Sequence, residues 1–125
     1  QAANQGLAGA QFNLGTMYHN GEGVSQDPVR AAEWYRKAAN QGYAGAQFNL
    51  GWMYDNGHGV SQDHVRAVEW YRKAANQGDA DAQFNLGAMY YNGHGVTKDD
   101  RLAGKFIRKA AKQGHKCAQD MLGSM

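Results

Sequence analysis

The sequence predicts an all-α fold, a right-handed α/α superhelical solenoid of stacked helix-turn-helix repeats. Three observations carry that expectation. The string AQFNLG occurs at 10–15, 46–51 and 82–87, and a degraded copy, AQDMLG, keeps the register at 118–123. The unit 7–42 matches 43–78 at 30 of 36 positions, and 43–78 matches 79–114 at 22. A fixed period of this size marks an array in which each unit is one supersecondary element. Within a unit the apolar residues recur at helical spacing, with no sustained alternation that would support a β-repeat.

In the first helix of the first unit, Ala10, Leu14, Met17 and Tyr18 fall at i, i+4, i+7 and i+8 and form one apolar face. NGEGV at 20–24 breaks the helix with glycines suited to positive φ. Asp27 is placed to cap the next helix, and Pro28 fits its first turn, where the missing N–H costs nothing. The second helix is expected to bury Ala31, Trp34, Tyr35, Ala38 and Ala39. Its outer side carries Arg30, Glu33 and Lys37, the last two spaced for an i,i+4 ion pair. Gly42 ends the helix. Ala10, Gly15, Ala38 and Ala39 permit close helix approach, while Trp34 and Tyr35 fill the space between successive hairpins.

One solenoid domain, 1–125, follows: 1–6 as the tail of a preceding repeat, full repeats at 7–42, 43–78 and 79–114, and the first helix of a terminal partial repeat at 115–125. QAANQG at 1–6 matches KAANQG at 37–42 and 73–78, so the chain reads as a fragment that opens inside a repeat. Any signal peptide would lie upstream, which leaves the localisation open.

The combination of A-Q-F-x-L-G-x-M-Y, the G-x-G-V loop and W-Y-x-K-A-A-x-Q-G resembles the Sel-one-like repeat (SLR) family, relatives of the tetratricopeptide repeat, over essentially the whole chain. Departures sit at the end, where Phe106 and Ile107 replace the Trp-Tyr pair and Asp120 replaces the helix phenylalanine. The resemblance implies a scaffold or adaptor that assembles protein complexes. Such proteins are frequent in bacteria, cytoplasmic or exported and periplasmic, and also occur in eukaryotic ER quality control. Cysteine-rich relatives associated with β-lactam binding or hydrolysis carry a disulfide in each repeat, whereas this chain has one cysteine, Cys117.

A net charge of +2 with 19% charged residues supplies no general attraction to nucleic acid. No apolar run approaches the roughly 20 residues of a membrane span. The three serines lie outside any S-x-x-K pattern, and NGHGV lacks the Lys-Ser/Thr of a phosphate loop. The chain is therefore read as no enzyme, with no catalytic residues and no cofactor. His58 and His94 are loop equivalents one repeat apart, too distant to share a metal at bond lengths of about 2 Å, so no metal site is expected. Arg101, Lys105, Arg108, Lys109, Lys112 and Lys116 form a basic stripe, read as a solvated outer face near the end of the array.

The expected partner is a protein or peptide held in the concave groove lined by the first helices. At 100° per residue, Phe12, Thr16 and His19 lie opposite the core stripe, with Phe48, Trp52 and Asp55, then Phe84, Ala88 and Tyr91, as their equivalents. Core positions are copied between units, but Thr16/Trp52/Ala88 and His19/Asp55/Tyr91 vary, as in a ligand-reading ladder or as drift on a solvated face. Trp52 and Tyr91 would be aromatic anchors and Asp55 would set polarity; the alternative for Trp52 is packing onto Phe48 or a neighbouring helix. In tetratricopeptide carboxylate clamps a lysine usually occupies the phenylalanine position, so no dedicated clamp is expected. A second reading is a self-associating structural solenoid that stacks end to end through the apolar face at its start.

Overall fold

A computed structural model describes the backbone of residues 2–124 and the side chains of residues 6–124. Seven helices follow one another: α1 (Ala2–Asn20), α2 (Pro28–Asn40), α3 (Ala44–Asn56), α4 (His64–Asn76), α5 (Ala80–Asn92), α6 (Asp100–Lys112) and α7 (Lys116–Ser124). They form three hairpins, α1/α2, α3/α4 and α5/α6; each hairpin packs on the next, and α7 closes onto α6. This is an all-α helical repeat fold, as the periodicity predicts.

The local signals act as expected. Asp27 and Asp63 cap α2 and α4 by accepting from the backbone N–H of Arg30 at 3.2 Å and Arg66 at 3.1 Å. Asp99 caps α6 through Arg101 and Leu102. Gly57 and Gly93 end α3 and α5 in the left-handed conformation. The glycine of AQFNLG is where the two helices of a hairpin meet: a Cβ on Gly51 would lie 2.9 Å from the Tyr71 ring, and one on Gly87 2.6 Å from Ile107.

Three expectations are corrected. Trp34 and Trp70 are only half-buried, Trp70 packing on the core from its edge. The buried set of α2 is Ala31, Ala32, Tyr35, Ala38 and Ala39, and that of α4 repeats it with Val68 at the second position. The tryptophans sit at the rim, where Lys37 and Lys73 lie 4.4 and 4.6 Å from the ring centroids. Lys37 is thus drawn to the indole it overlies, a cation–π contact, and no ion pair with Glu33 forms. On α1, Ala10 is exposed and Leu14 is 36% exposed, while their equivalents Ala46 and Leu50 are fully buried, because no helix packs on that side of α1. The helix α1 runs unbroken through Gly6, whereas the chain turns at Gly42 and Gly78. At those turns the carbonyls of Gly42 and Gly78 accept from Gln77 and Gln113 of the following hairpin. Gln1 and Met125, at the ends of the expected partial units, lie outside the described residues.

Glutamines stitch the units together. Gln47 and Gln83 are buried and donate to the carbonyls of Ala39 and Ala75 in the preceding hairpin, and each accepts from the glutamine that ends its own hairpin, Gln77 or Gln113. The Gln of AQFNLG therefore belongs to the interface between hairpins, where a buried amide keeps its partners. The G-x-G-V loops also bridge units: Gly59 lies against the carbonyl of Pro28 and Gly95 against that of His64.

Candidate partner-binding groove

The repeated phenylalanines are half-buried and turned toward their neighbours. Phe12 packs between Tyr35 (5.6 Å between centroids) and Tyr43 (5.1 Å), Phe48 against Tyr71 (5.6 Å), and Phe84 stacks on His115 at 4.8 Å. Their rings chiefly link a first helix to its hairpin partner and to the following unit.

At the variable positions, Trp52 and Tyr91 are each 39% exposed. Trp52 makes edge contacts with His19 and His58 at 6.0 and 5.6 Å, not with Phe48. Asp55 Oδ1 lies 2.8 Å from His64 Nδ1, and Lys98 lies over Tyr91 at 5.1 Å. Between α3 and α5 is a cavity of about 310 Å³, and of the nine expected residues Trp52, Asp55 and Ala88 line it. Phe12, Phe48, Phe84, Thr16, His19 and Tyr91 lie outside its walls. Tyr71 and Asn85 also line it; Tyr71 escaped the sequence reading because its position is a core position in every unit.

The substitution at residue 52 changes that core position. In the first hairpin, Thr16 Oγ1 and the Tyr35 hydroxyl are 3.1 Å apart and hydrogen-bonded. In the second, Trp52 replaces the threonine, and the buried Tyr71 hydroxyl makes no hydrogen bond among the described residues. In the third, Ala88 and Ile107 occupy the two positions, and neither side chain is polar. Burial pushes the Tyr71 phenol up, with Asn85 offsetting part of the effect and the Asp55 carboxylate adding to it. An unmet buried hydroxyl is costly, whereas a met one stabilises. Tyr71→Phe should therefore leave stability unchanged or raise it by up to about 1 kcal/mol, while Tyr35→Phe should lower it by about 1 kcal/mol. Urea denaturation of the two variants measures the difference, and equal losses would contradict this account.

All five histidines contact aromatic rings. His58 packs on His19 at 5.4 Å and His94 stacks on His64 at 5.5 Å, each pair joining consecutive units. Burial, and then the neighbouring His58, hold the His19 imidazole below its ordinary 6.5, favouring the neutral form. His115 caps α7: its Nδ1 accepts from the Ala118 N–H at 3.1 Å and its Nε2 lies 2.9 Å from Asp81 Oδ1. Among the described residues no group of three or more His, Cys, Asp or Glu side chains is arranged to hold a metal ion. No described helix is long and apolar enough to cross a membrane. The six basic side chains of the stripe are all exposed.

The Sel1 repeat family model matches the chain three times, at residues 8–43, 44–79 and 80–115. The chain belongs to the Sel1-repeat family. Solved Sel1-type structures superpose on it closely. A protective antigen of uropathogenic Escherichia coli strains, displaying an SLR fold, is 46% identical, with a TM-score of 0.94 over 99% of this chain and 27% of its own. A Sel1 repeat protein from Oxalobacter formigenes is 43% identical, with a TM-score of 0.87 over 89% of this chain and 46% of that one. Cysteine-rich protein B of Helicobacter pylori is 31% identical, with a TM-score of 0.73 over 78% and 74%. The chain thus spans about a quarter and about a half of the first two relatives. No curated protein matches it. Sel1-repeat proteins are generally protein-interaction scaffolds, and the matches indicate no catalytic family.

Proposed function

We propose that this Sel1-repeat chain is a non-catalytic scaffold that holds an extended peptide or a partner helix along its first helices, with Trp52 as the central anchor. The observation that carries the reading is Trp52 itself. It is a 39% exposed tryptophan at the mouth of a cavity, at a position where the neighbouring units carry threonine and alanine. Exposed aromatics beside a concavity are the usual core of a protein interface. The test is a peptide selected from a displayed library on the whole chain and mapped by amide and indole shifts. Perturbation should centre on Trp52 and on α1, α3 and α5; shifts confined to α2, α4 and α6 would sink the assignment.

A second reading, end-to-end self-association, is favoured by a different face. Leu7 and Leu14 are 54% and 36% exposed on α1, whereas Leu50 and Leu86 are fully buried. Light scattering over a wide concentration range should then show growth of dimers and larger stacks, and a strictly monomeric chain would remove this reading.

A further inference from the structure

The three tryptophans are not equivalent, and the difference lies in what stands three residues further along the helix. Trp34 is followed at i+3 by Lys37 and Trp70 by Lys73, and each lysine covers its indole. The same habit extends to the tyrosines: Arg30 lies over Tyr18, Arg66 over Tyr54 and Lys98 over Tyr91. At Trp52 the i+3 residue is Asp55, a carboxylate, and among the described residues no lysine or arginine lies over this ring. Trp70 also borders a cavity, of about 350 Å³, but Arg66, Arg72 and Lys73 line that one; the indole that lacks a cation of its own is the one at the cavity between α3 and α5.

The cavity completes the pattern. No lysine or arginine lines it and the His94 imidazole, stacked on His64, stands at its edge, while Asp55, Asn56, Asn85 and Asn92 line it. These side chains offer carboxylate and amide oxygens to N–H donors. Beside them lies the Tyr71 hydroxyl, fully buried and without a hydrogen-bond partner among the described residues. An acidic ligand would meet the Asp55 carboxylate there, whose Oδ1 already lies 2.8 Å from His64 Nδ1 and whose second oxygen remains for an N–H donor. A cationic one would meet the Trp52 ring, where a guanidinium or ammonium is attracted to the face of the indole, and the Asp55 charge beside it.

We infer that the cavity between α3 and α5 is a subsite for a basic side chain, arginine or lysine, presented by the peptide or partner helix. This rests on the groove reading given above and makes it specific: the partner supplies in trans the cation that Lys37 and Lys73 supply in cis to Trp34 and Trp70. Arginine suits the site better than lysine, since its planar guanidinium stacks on the indole while its edge donates to Asp55.

The test uses the whole chain and small probes, with the three indole N–H resonances as separate readouts. N-acetyl-arginine N-methylamide should shift the Trp52 signal in a saturable, millimolar titration and leave those of Trp34 and Trp70 in place, since both are already covered. The uncharged citrulline analogue should bind about tenfold more weakly, the scale of one desolvated cation–π contact. Asp55→Asn should weaken the arginine probe by a similar factor. Asp55→Lys should rebuild the internal pair of the other two tryptophans and abolish binding, with the circular dichroism of the helices unchanged. Citrulline binding as tightly as arginine, N-acetylglucosamine shifting Trp52 at lower concentration, or a Trp52 signal unmoved by about 100 mM arginine probe, far weaker than such a contact allows, would each overturn the subsite. The groove reading has its own criterion: it survives those outcomes if a selected peptide still depends on Trp52, and falls only if that peptide is indifferent to the residue.

Discussion

Replacing Gly95 with alanine should destabilise the array by about 3 kcal/mol or more, the sum of a left-handed backbone cost and an overpacked contact. Gly95 has a φ of +72°, and a Cβ built on it would lie 2.4 Å from the carbonyl oxygen of His64 and 2.6 Å from its carbonyl carbon. Those atoms are backbone at the start of α4, so no side-chain rotation can relieve the contact. The loop must lift off the preceding hairpin, which also separates the His94–His64 stack. Gly59→Ala should behave alike, because its Cβ would lie 2.3 Å from the Pro28 carbonyl oxygen.

Gly78 provides the internal control. Its φ of +97° is as unfavourable for alanine, but nothing lies within 4 Å of a Cβ there. Gly78→Ala should therefore cost only the backbone share, about 1–2 kcal/mol. Thermal unfolding separates the cases: a fall of roughly 10 °C or more is expected for Gly95→Ala and a few degrees for Gly78→Ala. Equal losses in the two variants would show that the loop does not press on the preceding hairpin. Since a solenoid coheres through its nearest-neighbour interfaces, Gly95→Ala should also broaden the transition by uncoupling α5/α6 from α3/α4.

Trp52→Ala should weaken binding of a groove partner by about 2 kcal/mol, roughly thirtyfold in Kd, while leaving the helical spectrum intact. The indole is 39% exposed and its ring contacts are edge-on with His19 and His58, so its removal opens no core void. Trp34→Ala is the matched comparison, because Trp34 also sits at a rim but lies on α2 under Lys37. Titration calorimetry with a selected peptide should show the loss for Trp52→Ala and none for Trp34→Ala. Unchanged affinity in the first variant would end the assignment of the groove to Trp52.

The tryptophans also show where helical periodicity stops being informative. Trp34 stands at i+3 from Ala31, next to Tyr35 at i+4, and both spacings fit one apolar face. The observed interface is built from Ala31, Ala32 and Tyr35 in α2 and from Ala67, Val68 and Tyr71 in α4, and in both helices the indole stands at the rim of that face. A pattern within one helix marks a broad apolar face; the partner helix selects which part of it is buried.

The histidines make the same point across units. His58 and His94 occupy equivalent loop positions, yet each meets a side chain of the preceding unit, His19 in one case and His64 in the other. The loop residue is shared, but its neighbour differs because residues 19 and 64 have no histidine at their equivalents in the other units.

By itself the sequence determined the unit and its parts: helices with aspartate caps, glycine breaks, small residues at close crossings, and the family to which such a unit belongs. These are local properties, set by backbone sterics, capping and the period of 3.6 residues, and each copy states them again. The tertiary structure alone decided which side chains meet between copies: the glutamine ladder, the loop resting on the carbonyl of the preceding hairpin, and a cavity that joins Trp52 and Asp55 of one unit to Asn85 and Ala88 of the next. Those contacts depend on the rise and rotation from one hairpin to the next, and that geometry is set by the packing of whole faces.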